Sequence, residues 1–75
     1  MASLADVTAR DAVRALERAG WMVLRQKGSH VVLGKPGEYY RLVLPDHGSR
    51  PLRRGTLLAA IRRAGLTPEE FLRLV

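Results

Sequence analysis

Arg25-Gln26-Lys27-Gly28-Ser29-His30 gathers an imidazole, two cations and a hydroxyl about a glycine. An imidazole with a pKa near ~6.5 takes up and returns a proton at neutral pH, and fixed cations stabilise negative charge, so this set suits acid–base chemistry at a phosphate. His30 is the candidate acid–base group. Arg25, Lys27 and the backbone N–H groups around Gly28 and Ser29 are the candidate phosphate donors, and the Ser29 hydroxyl is a candidate partner of the phosphate or of His30. A second set follows in Asp46-His47-Gly48-Ser49-Arg50-Pro51-Leu52-Arg53-Arg54. Arg50, Arg53 and Arg54 stand just before an expected helix, where they add side-chain charge to the positive end of its dipole and suit a phosphate backbone.

Each of these residues also has a plainer reading. His30 as a half-buried strand residue bonded to a carbonyl would be structural only, and the arginines as solvated cations would bind nothing. His47, between Asp46 and Gly48, is expected to be a turn residue with Asp46 closing the loop; substrate contact or acid catalysis is the alternative. Tyr39 and Tyr40 are consecutive in an expected strand, which sends one to the core and argues against a base-stacking pair. Trp21 reads as core or partner contact. Asp6, Asp11, Glu17, Glu38, Glu69 and Glu70 are scattered away from the basic segment, and Asp46 with His47 gives two ligands where an open catalytic site needs about three. No metal and no cofactor is expected.

The elements that position these groups follow from the pattern. Thr8 as N-cap with Asp11 three residues on, and Val7 set to staple against Ala12, opens a helix running to about Ala19, with Ala12, Val13, Leu16 and Ala19 as its apolar stripe and Gly20 as its stop. Trp21 to Gln26 reads as a strand, apolar at four successive positions and so expected to be covered on both faces. His30 to Leu33 is the second strand, Gly34-Lys35-Pro36-Gly37 a reversal, and Tyr39 to Leu44 the third strand, ended by Pro45. Thr56 to Ala64 is the second helix, stopped by Gly65. Thr67-Pro68-Glu69-Glu70 opens a short last helix through Phe71, Leu72 and Leu74. The order α-β-β-β-α-α, with short turns, predicts an α+β layer pair: a three-stranded antiparallel sheet with helices on one face. The apolar strands then leave hydrophobic area on the other face, which suits a protein partner.

A chain of 75 residues is expected to be one domain, 1–75, with nearly all apolar residues committed to its core. It has no cysteine and no run of 18 apolar residues. With no basic leader in Met1 to Asp6, a soluble cytoplasmic protein is expected, with no membrane association. The net charge of +6 is uneven. Residues 25 to 63 carry nine cations against Glu38 and Asp46, while the remainder of the chain is nearly neutral. That is the footprint of a polyanion binder or of a protein that docks an acidic partner.

Gly20-Trp21, Arg25 through His30, Pro45-Asp46-His47-Gly48-Ser49, Gly55-Thr56-Leu57 and Ala64-Gly65-Leu66-Thr67 together resemble the HicA toxin family, the mRNA-cleaving half of HicA/HicB toxin–antitoxin systems. The resemblance covers nearly the whole chain. It implies a fold like the double-stranded-RNA-binding domain, a catalytic histidine at the Gly-Ser-His position, here His30, an mRNA substrate, and neutralisation by a HicB-like antitoxin in a heteromeric complex, the free chain being monomeric. The reversal Gly34-Lys35-Pro36-Gly37-Glu38 and the leading Met1 to Asp6 depart from the usual pattern, away from the motif. Three readings follow: a metal-independent endoribonuclease, a module that grips RNA without cutting it, and a small adaptor for an acidic protein. Loss of His30 separates the first from the second, and weak nucleic-acid binding at physiological salt marks the third.

Overall fold

The structure, a computed structural model, describes residues 3–75; Met1 and Ala2, the start of the leading stretch, lie outside it. A single 3-10 turn at Leu4–Asp6 precedes α1 (Ala9–Arg18), β1 (Met22–Lys27), β2 (His30–Gly34), β3 (Leu42–Pro45), α2 (Arg54–Arg63) and α3 (Pro68–Leu74). The strands form one antiparallel sheet in the order β1-β2-β3, giving the α+β layout that the pattern predicts. α1 begins as expected: the Thr8 hydroxyl accepts from the Asp11 N–H and the Asp11 carboxylate accepts from the Thr8 N–H. Thr67 and Glu70 repeat that box at α3, with Pro68 in its first turn.

One apolar cluster joins the layers. Val31, Leu33, Leu42 and Leu44 project from the sheet onto Leu16, Leu57, Ile61 and Phe71 of the helices, with Val7 and Leu52 closing one side. Trp21 belongs to this cluster and precedes β1 instead of opening it. The Leu52 N–H donates to the Val7 carbonyl at 2.8 Å, and Thr8 bridges Pro51, so the chain entering α2 is tied to the chain entering α1.

Three expectations are corrected. β1 is not covered on both faces: all six of its residues are exposed, because the helices close over β2 and β3 and none of the β1 residues joins the core cluster. β3 starts at Leu42, not Tyr39, since it pairs with β2 only from His30 to Leu33 and Gly34 pairs with β1 alone; Tyr39 to Arg41 have no strand to bond to. Its last residue is Pro45, tolerated because β3 is also an edge. α2 starts at Arg54, two residues before Thr56, with Arg53 as N-cap and no side-chain cap; burial of Leu52 and its bond to Val7 hold the chain ready to turn helical at once. Arg54 therefore lies in the helix and not before it. Among the described residues no helix is long and apolar enough to cross a membrane.

Candidate functional site

The turn between β1 and β2 has two central residues, Gly28 and Ser29, flanked by the Lys27–His30 pair. Gly28 has φ +58°, and no residue other than glycine has positive φ among the described residues. Positive φ at the first central position only is the signature of a type II′ turn, whose twist suits a tight hairpin and which favours glycine there. The Gln26 amide donates to the Gly28 carbonyl at 3.4 Å. His30 is thereby the first residue of β2, exposed, and its ring has no hydrogen-bond partner among the described residues.

Register decides which groups join it. β1 pairs Val23 with Leu33 but Arg25 with Val32, leaving Leu24 as a bulge residue. Residues directly opposite each other share a sheet face. Val23 and Gln26 thus lie with Leu33 and Val31 on the helix side, where Val23, Gln26 and Val31 border a groove against α1. Arg25 and Lys27 lie with Val32 and His30 on the outer face. Without the extra residue, strict alternation from Val23 would send Arg25 and Lys27 to the helix side. The bulge is what assembles cations and imidazole on one surface. Apolar composition across Trp21 to Leu24 conceals it, so alternation in the sequence carries no sign of it.

Across β2, His30 stands opposite Pro45 of β3. Lys27, His30 and Pro45 form one cross-strand row, with neighbouring strands about 4.8 Å apart. The Asp46 N–H donates to the Ser29 carbonyl, joining the Gly-Ser-His turn to the Asp46-His47 segment. The Asp46 carboxylate accepts from the Gly48 N–H at 2.9 Å, the loop closure expected of it. Beyond Pro45, His47, Arg50 and Arg53 share a cleft with Thr56 at the start of α2. The two basic sets are therefore linked through Pro45, which pairs with His30 and lines that cleft, and through Asp46. Arg54, exposed in the first turn of α2, does not line that cleft. The Ser29 hydroxyl makes no hydrogen bond with His30 among the described residues. Among these residues no three His, Asp or Glu side chains are close enough to share a metal ion.

The model of the HicA toxins of bacterial toxin–antitoxin systems matches residues 9–66, from the start of α1 to the end of α2 and just beyond. The chain belongs to the HicA toxin family. No curated protein matches it significantly. As a HicA-family chain it places Gly28, Ser29 and His30 at the turn of the β1–β2 hairpin, with Pro45 opposite His30 and Asp46 bonded to Ser29. Arg41 is a residue the sequence pattern did not single out: it borders Arg25, Leu24 and Val32 on the outer face and also lines the cleft that holds Tyr39.

Proposed function

We propose that this HicA-family toxin is a metal-independent endoribonuclease that cleaves mRNA with His30 as its acid–base group, and that a HicB-type antitoxin silences it. The observation that carries the reading is the row Lys27–His30–Pro45 on the outer face, with an exposed, unbonded imidazole between a cation and a cleft of two arginines. The His30 imidazole takes the proton of a ribose 2′-hydroxyl. The 2′-oxygen attacks the adjacent phosphorus, the bond to the 5′-oxygen breaks, and that oxygen leaves with a proton, giving a cyclic phosphate and a 5′-hydroxyl end. A positioned base contributes roughly 10² to 10⁴-fold, and each preorganised donor at the pentavalent phosphorus roughly 10² to 10³-fold. Lys27, Arg25 and the N–H groups of the Gly28-Ser29 turn serve as those donors, while Arg50 and Arg53, and Arg54 more distantly, hold the flanking backbone.

The antitoxin blocks this row by covering His30 and pairing acidic groups with Lys27 and the arginines, and charge complementarity speeds its arrival. The test is incubation of single-stranded mRNA with the wild-type and His30→Ala chains in excess EDTA. Fragments from wild type alone are expected. RNA that binds both chains and is cut by neither overturns catalysis and leaves an RNA-binding module.

A further inference from the structure

Four aromatic side chains occur in the chain, and they divide sharply: Trp21 and Phe71 are buried, whereas Tyr39 is 89% and Tyr40 72% exposed. The tyrosine rings meet edge to face with centroids 5.0 Å apart. They precede β3 and lie at the Gly34 end of β2, four residues and about 13 Å along the sheet from His30. Neither is needed by the core, and a strand would have buried one of them.

Two clefts that share Leu24 and Arg41 lead from Tyr39 toward His30. Tyr39 lines a cleft with Met22, Leu24, Gly34 and Arg41; Arg41 also borders the next cleft, with Leu24, Arg25 and Val32; and Lys27 and His30 follow two residues further along the same face. Gly34 lets this floor form, because a Cβ there would stand 2.7 Å from Leu24 Cδ1. Along this track Arg25, Lys27, Lys35 and Arg41 stand against a single acid, Glu38, at the Tyr39 cleft.

We infer that Tyr39 and Tyr40 form a stacking subsite for the nucleobases of single-stranded RNA, with Arg41 and Arg25 leading the backbone from it to His30. Exposed aromatic rings interleaved with cations match a flexible polyanion bearing flat bases, and a tyrosine ring stacks on any base without reading its sequence. The four cations suit RNA and an acidic protein alike; the two flat, exposed rings beside them are what favours a strand that carries bases. The inference rests on the ribonuclease reading for the identity of the strand, and it places the gripped bases a few nucleotides from the cleaved bond.

The experiment measures binding of a short, fluorescently labelled 2′-O-methyl oligoribonucleotide, which lacks the attacking hydroxyl and cannot be cut, by anisotropy across a salt series. Tyr39→Ala/Tyr40→Ala is expected to weaken binding about tenfold or more, Tyr39→Phe/Tyr40→Phe to stay within about twofold, and the salt slope to be the same for both. An abasic strand with the same phosphates is expected to bind wild type and the alanine pair alike. Equal affinity of wild type and the alanine pair for the base-bearing strand overturns the inference, as does an equal loss on the abasic strand. Loss of antitoxin binding with oligonucleotide binding intact also overturns it and gives the tyrosines to the protein partner. Because the probe cannot be cleaved, a chain that fails to cut mRNA yet shows the tenfold loss rejects the ribonuclease reading and keeps the stacking subsite.

Discussion

The two faces of the sheet use similar residues for different ends. On the helix face Val31, Leu33, Leu42 and Leu44 are all buried, each pair opposed across β2 and β3. On the outer face only Val32 is buried among the apolar residues, while Met22 is 55%, Val43 53% and Leu24 44% exposed. Across β2 and β3 the inner face is explained by packing alone, while Val23 of β1 on the same side stays 42% exposed. The outer face carries hydrophobic area that stability does not require, bordered by Arg25, Lys27, Arg41 and His30. One sheet thus has a face that holds the fold and a face free to meet a ligand.

The sharpest way to break this contrast is His30→Ala, expected to lower RNA cleavage roughly 10² to 10⁴-fold while the unfolding midpoint stays where surface substitutions leave it, within about 0.5 kcal/mol. A large loss of stability with it would make His30 structural. Next in size is a matched pair of truncations read by urea unfolding: Leu33→Ala on the inner face is expected to cost about 2–5 kcal/mol, and Val43→Ala on the outer face well under that. Similar costs for the two would mean that both faces are core. Smaller again is the electrostatic difference: Arg25→Gln or Lys27→Gln is expected to reduce the salt slope of single-strand binding by about 0.7 each, and Arg14→Gln on α1 to leave it unchanged.

The smallest effect lies away from both faces. Hydrogen bonds from the Thr67 backbone and hydroxyl, with Arg73 nearby, hold the Glu70 carboxyl below its usual value. A carboxylate depressed in the folded state stabilises fully above its unfolded pKa, and that contribution is lost as pH falls through the folded one. Glu70→Gln is expected to flatten the acid limb of the stability profile slightly, with RNA binding at neutral pH untouched.

Much of the fold was legible because its signals are local. Thr8 with Asp11 and Thr67 with Glu70 announce helix starts through bonds that span three residues, and both boxes form. The outer apolar area also followed from the sequence, since strands apolar at nearly every position cannot hide both faces under helices packed on one. What misled were positions governed by partners far along the chain. Tyr39 and Tyr40 have strand-like residue types, yet β2 offers no pairing groups opposite them. Arg54 looked like a residue before the helix, but the anchored Leu52 lets the helix begin there.

The candidate site divides in the same way. By itself the sequence determined that a histidine, a glycine turn and cations lie within six residues, because a chain keeps neighbours together whatever its fold, and it determined an excess of positive charge from Arg25 to Arg63. Only the tertiary structure decided that Arg25 and Lys27 share a face with His30, because that depends on one extra residue in the pairing of β1 with β2. It alone tied the segment that carries His47, Arg50 and Arg53 to the Gly-Ser-His turn, because hydrogen bonding of β3 to β2 sets Pro45 opposite His30 and Asp46 bonds Ser29. Period-two alternation fixes which face a side chain takes only once register is known, and register is a property of two strands.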